Sequence, residues 1–206
     1  MEYFFYSTIY SSYFFLLTAS VFGILKYKAL RSYEYWYFYY LAYTFIIEAS
    51  VNITIEFFEA KATPFIYPFY IGGIFSILTF LFIRKLNLPR IWSLSVPAIG
   101  ILYLFVHWFF DGMNHDHVKV ISNIIIFGFA GLCLLQELRK TKTDNRFLWV
   151  DALIFLYYSV SAFIFILHNQ LGNMSIQHAY LIWGINNILT CILYSSFIYT
   201  FSTLKK

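Results

Sequence analysis

The chain is poor in charge. Only 12% of its 206 residues are Asp, Glu, Lys or Arg, where a soluble domain usually carries about 25%. The gaps between its apolar runs are short, so nothing polar is left to build a separate soluble domain, and residues 1–206 are expected to form a single membrane-embedded domain. Cysteine is scarce as well. Cys133 and Cys191 both lie inside apolar runs and lack metal-ligand spacing, which excludes a disulfide framework and a zinc site built on them and leaves buried thiols. There is no Gly-rich phosphate loop and no CxxC motif. The last apolar run has no lysine before Lys205, which excludes a retinal Schiff base. The N-terminal Met-Glu-Tyr-Phe-Phe lacks the basic segment and cleavage site of a signal peptide, so the first run is expected to stay as a helix.

What the chain has in abundance is apolar and aromatic surface: 61% hydrophobic residues, 24% aromatic, mean hydropathy +0.68. Crossing a bilayer takes about 20 apolar residues in helical form. The runs predict seven spans, over 3–25, 35–57, 64–83, 91–110, 118–136, 147–167 and 179–202. Pro64 and Pro68 fall in the first turns of the third, where a missing N–H costs little. Pro97 falls inside the fourth, where it is expected to kink the helix. The aromatic cluster Tyr33, Tyr35, Trp36, Tyr37, Tyr39 and Tyr40 at the start of the second span reads as an interfacial belt.

All but two of the 14 Lys and Arg residues sit in alternate gaps or in the tail. Lys26, Lys28 and Arg31 follow the first run, Arg84, Lys85 and Arg90 the third, Arg139, Lys140, Lys142 and Arg146 the fifth, and Lys205 and Lys206 the seventh. Lys61 and Lys119 fall in the other gaps. Basic residues near span ends are retained in the cytoplasm. The expected fold is an all-α bundle of seven transmembrane helices with the N-terminus outside and the C-terminus inside. The net charge of +4 is spread over these cytoplasmic edges, so the bilayer is its expected partner and direct nucleic-acid binding is not expected.

Ionisable groups within the hydrocarbon are costly and each needs a reason. With a rise of about 1.5 Å per residue, Glu48 lies roughly 10 Å below the outer face of a core about 30 Å thick. Asn123, Asn186, Asn187 and His107 fall roughly 6–12 Å below the same face. Glu48, Asn52 and Glu56 share a helix face. The expectation is a small polar cavity opening outward, lined by Glu48, Asn52, His107, Asn123, Asn186 and Asn187. The competing reading of the amides is interhelical hydrogen bonding that holds the bundle together. Asp151, one turn inside the cytoplasmic end of the sixth span and close after Arg146, is expected to cap or snorkel at the interface. The hydroxyls of the first span (Ser7, Thr8, Ser11, Ser12, Thr18, Ser20) have no paired base and read as packing or backbone-bonding groups.

His107, Asp111 and His115 recur at helical spacing, with Asp116 and His117 close behind and His168 and His178 flanking the next outer gap. On a continuous helix the first three would offer nitrogen and oxygen ligands such as zinc accepts. Gly112 and Asn114 favour ending the helix there, and the HxxxH pair and serine of seven-helix zinc hydrolases are missing. No metal or other cofactor is therefore expected.

Ile71-Gly-Gly-Ile-Phe-Ser-Ile-Leu-Thr79 in the third span is similar to Ile182-Trp-Gly-Ile-Asn-Asn-Ile-Leu-Thr190 in the seventh. Spans 1–3 and 5–7 also share orientation by the charge pattern, which suggests a parallel 3+1+3 duplication of the kind known in transporters. Such a duplication requires the two triplets to pack in the same order.

Two stretches, Phe147–Leu167 and Leu181-Ile-Trp-Gly-Ile-Asn-Asn-Ile-Leu-Thr-Cys-Ile-Leu-Tyr194, resemble a group of small seven-helix proteins from Bacteroidetes-type genomes. That group often shows Phe-Trp-Ile-Asn-Ser at the start of helix 6 and Trp-x-x-Asn in helix 7; here Asp151 stands in place of the usual Asn. The resemblance implies topology and a bacterial inner membrane, and no activity. Small membrane accessory proteins encoded beside RNA-targeting CRISPR effectors are similar in size and origin, which makes that role one further expectation. With no catalytic set legible, the leading expectation is a non-enzymatic receptor or accessory protein acting through a protein partner at its cytoplasmic face, as a monomer or an oligomer. A small-solute transporter or channel and a metal-dependent membrane hydrolase are the alternatives.

Overall fold

A computed structural model describes residues 1–57, 63, 65–111, 116–140, 144–167 and 175–204. Among the described residues there are seven helices long and apolar enough to cross a membrane, and no strand. They are α1 Glu2–Leu25, α2 Tyr35–Phe57, α3 Tyr67–Lys85, α4 Arg90–Asp111, α5 Asp116–Leu138, α6 Leu148–Ile166 and α7 Ile176–Thr203. Helices are the form these runs must take, because lipid offers no partner for a free backbone N–H or C=O. The chain is an integral, multi-pass membrane protein.

The boundaries lie within a few residues of those expected, with one informative shift. The third helix starts at Tyr67 and not at residue 64, so Pro68 occupies its first turn; Pro64 lies outside the described residues. α3 ends at Lys85, and Asn87 just beyond it has a left-handed φ of 54°. That conformation lets the amide of Leu88 bond back to Ile83 O at 3.1 Å, a tight helix stop of the kind Asn tolerates. α4 runs unbroken through Pro97.

Six of the helices close a ring. α1 packs on α2, α2 on α3, α3 on α5, α5 on α6, α6 on α7, and α7 on α1. α4 stands outside this ring, packed chiefly on α3 and only lightly on α5. Small residues permit the close approaches. A methyl group at Gly73 would overlap the Tyr43 ring, one at Gly184 would overlap Phe4, and one at Gly100 would overlap Phe75. These are the α2–α3, α1–α7 and α3–α4 seams, where packing rather than water exclusion must hold membrane helices together.

The triplets α1–α2–α3 and α5–α6–α7 have the same order of contact, and they are joined both ways, α3 to α5 and α7 to α1. This is the order a parallel duplication requires. The similar segments are not packed alike, however. Gly73 backs onto α2, whereas its counterpart Gly184 backs onto α1 rather than onto α6.

The basic gaps meet at one end of the bundle. Lys26 Nζ donates to Leu204 O at 2.7 Å. Arg31 Nη1 pairs with Asp144 at 3.1 Å. Arg146 pairs with the buried Glu34 and donates to Ala29 O at 3.1 Å. The interior at this end is filled by rings: Tyr37 stacks on Phe147 at 4.3 Å, and Phe147 meets Phe201 edge-on at 5.7 Å. The aromatic cluster at the start of α2 is therefore only partly a belt. Tyr39 is exposed, but Tyr37 and Tyr40 point into the core and Trp36 rests on Phe80 at 4.1 Å.

Asp151 does not snorkel. It is 0% exposed, and it accepts hydrogen bonds from the Tyr37 hydroxyl, from Lys85 Nζ and from Asn145 Nδ2, the last at 2.8 Å. The amide of Phe147 in turn donates to Asn145 Oδ1 at 3.1 Å. A buried carboxylate needs this many partners, because desolvation outweighs a single Coulomb contact. The network ties α6 to α2 and α3 at the basic end of the ring.

Candidate functional site

At the other end the ring interior is not filled. A cavity of about 180 Å³ lies between α1, α2, α3, α6 and α7. Its polar lining is Glu48 from α2, Asn186, Asn187 and Thr190 from α7, and Ser12 from α1. Leu16 and five aromatic residues, Tyr13, Tyr70, Tyr157, Trp183 and Tyr194, complete a lining that is mostly polar. A second cavity of about 190 Å³ shares Glu48 and Tyr70 with the first and reaches Thr63 and Ile66, just before α3. Glu48 and Tyr70 thus stand where an approach from the end opposite the basic residues meets the interior.

Position along α2 explains the division of labour. Tyr40, Thr44 and Glu48 recur one turn apart, and the first two are buried. The Thr44 hydroxyl is consumed by Tyr40 O at 2.8 Å, and the Asn52 amide donates to Glu48 O at 2.9 Å. The Glu48 carboxylate itself makes no hydrogen bond or ion pair with any described residue. Asn186 is 8% exposed, and its Oδ1 has no hydrogen-bond partner among the described residues. Buried amide oxygens are rarely left so. Asn187 is engaged, with Nδ2 3.3 Å from Thr8 Oγ1 across the α1–α7 seam.

Of the six residues expected to line a cavity, Glu48, Asn186 and Asn187 do so together, and Asn52 sits one turn along α2 from Glu48. Asn123 is buried elsewhere, joining α5 to α6 through Ser161 Oγ at 3.1 Å, as the interhelical reading has it. His107 is buried on the outlying α4, with its ring 6.1 Å from Tyr103, and lines neither cavity. Glu56 is exposed near the end of α2. Four of the α1 hydroxyls, Thr8, Ser11, Ser12 and Thr18, bond to backbone carbonyls three or four residues back, while Ser20 Oγ has no hydrogen-bond partner among the described residues. Cys133 and Cys191 are free thiols.

Lys119 corrects the charge reading. It is no gap residue: α5 begins at Asp116, and the Lys119 side chain turns inward, 4% exposed, with Nζ 4.2 Å from the centre of the Tyr70 ring. It lies within electrostatic reach of Glu48 but forms no ion pair with it and lines neither cavity. Its position within the expected fifth span, between Val118 and Val120, was the available signal. The five ring walls were not legible in advance, because tyrosines in lipid-facing and inward positions look alike in the sequence.

Among the described residues no three His, Cys, Asp or Glu side chains are placed to hold a metal ion. His115 and the side chains of Asp111 and Asp116 lie outside the described residues; His117 is exposed, and His178 bonds with Ser175 Oγ at 2.6 Å. Comparison of the chain with protein-family models, with curated proteins and with solved structures finds no match.

Proposed function

We propose that this protein is a membrane-embedded binding protein for a small polar solute, of receptor or accessory type, with Glu48, Asn186 and Asn187 as its polar contacts. The observation that carries the reading is the mostly polar cavity into which an unpaired carboxylate and an unpaired amide oxygen face. Buried groups of this kind ask for a partner that the described residues do not supply. We place the basic end in the cytoplasm on the strength of the alternating cations, in a bacterial inner membrane on the strength of the resemblance noted above, so that the cavity opens outward. The ring-filled basic end, latched by Lys85 and Asp151, favours binding over passage. Its short loops leave signalling to a partner protein at the cytoplasmic face.

The test is a solute screen by thermal shift on the protein in nanodiscs, run in parallel on Asn186→Ala. Solutes that stabilise the wild type and not the variant support the cavity; a screen in which every hit stabilises both equally removes it. A second reading, a transporter, is favoured by one observation, the equal packing order of the two triplets. Flux of a bound solute across liposomes, abolished in Glu48→Ala and Asn187→Ala, would select it.

A further inference from the structure

We infer that the solute is a small organic cation: an ammonium ion carrying a short alkyl or hydroxyalkyl group. The inference rests on the cavity reading above and adds its chemistry. The cavity combines one carboxylate with rings from four different helices: Tyr13 on α1, Tyr70 on α3, Tyr157 on α6, and Trp183 and Tyr194 on α7. A ring face carries partial negative charge and attracts a weakly hydrated alkylammonium, and the tyrosine hydroxyls add oxygen acceptors for its N–H or hydroxyl groups. The carboxylate supplies the balancing charge. A Glu48 without an ion pair inside a bundle is costly, with Lys119 acting on it only at a distance, and a cation bound beside it offsets that cost. The unpartnered Asn186 Oδ1 is a further acceptor, suited to an N–H or a hydroxyl on the ligand.

The neighbouring charges decide against the alternatives. An anion would meet Glu48 directly, while the only described cation nearby, Lys119, is turned onto the Tyr70 ring and does not line the cavity. That same contact shows that a ring of this cluster already accepts an ammonium group, since Lys119 Nζ is 4.2 Å from its centre. A neutral solute would use the amides and hydroxyls but would leave the carboxylate without an ion pair.

Choline and its uncharged isostere 3,3-dimethylbutan-1-ol differ in charge and hardly in shape, so the pair isolates the inference. Titration calorimetry on the wild-type protein in nanodiscs should show choline or ethanolamine binding at least about tenfold more tightly than the isostere. Glu48→Gln should weaken that binding by about tenfold or more. Tyr194→Phe, which keeps the ring, should bind within about threefold of the wild type, whereas Tyr194→Leu should lose about tenfold. If Glu48→Gln is not recovered as a folded protein, the wild-type comparison of choline with its isostere decides alone. Equal affinity for choline and the isostere, or no binding of either ammonium, overturns the inference while leaving a cavity for neutral solutes. Loss of the cavity reading itself would look different: every solute would act equally on the wild type and on Asn186→Ala.

Discussion

Glu48 and Asp151 are carboxylates in the same bundle with opposite surroundings. Asp151 accepts hydrogen bonds from a hydroxyl, an ammonium and an amide; Glu48 has no hydrogen bond or ion pair with a described residue, and Lys119 acts on it only at a distance. The first is therefore part of what holds the fold. Lys85→Ala or Asp151→Ala leaves its partner charged and buried, which should cost about 3–5 kcal/mol. The double replacement Lys85→Met with Asp151→Leu removes both charges and should restore most of that loss, as read by thermal unfolding of the purified protein. Glu48→Gln should do the reverse of the single changes. It removes a carboxyl that has no ion pair and should raise stability by about 1 kcal/mol, a gain made at a binding position at the expense of function. A fall in melting temperature for Glu48→Gln would mean that the carboxyl has a structural partner after all.

At the scale of the helices, every span was legible in the sequence, because length and hydropathy alone define a crossing. What faced inward was not. α1 and α7 show almost no amphipathic signal, since lipid and protein interior are equally apolar and the usual periodicity disappears. So Tyr37 and Tyr40 read as belt residues and Asp151 as a snorkelling one, although all three are core. The amides were easier, being polar against an apolar background, yet only their neighbours separate Asn123, a tie between α5 and α6, from Asn186, an open wall of the cavity. Glycines give a direct test of the seams. Gly184→Leu forces Phe4 off α7 and should cost about 1–3 kcal/mol. Gly128 has open space where a Cβ would go, so Gly128→Ala in the same bundle should be neutral or stabilise α5 by up to about 1 kcal/mol. Circular dichroism melts of the two variants compare them directly.

For the molecule as a whole, the gathering of the basic gaps at one end makes sidedness testable with two positions. In a background lacking Cys133 and Cys191, a cysteine at the exposed Leu88 should react only in inside-out vesicles, and one at the exposed Ser175 only in right-side-out vesicles. The reverse pattern would turn the cavity toward the cytoplasm. α4 has a consequence of its own. It contributes no wall to the ring, yet it carries the chain back across the bilayer so that α5 enters with the polarity of α1. An even number of crossings would put Lys205 and Lys206 on the side of Met1, and α5, α6 and α7 could no longer lie head-to-head with α1, α2 and α3. A helix outside the ring is in this way what allows six others to meet: its removal would change the direction of half the protein rather than merely thin its edge.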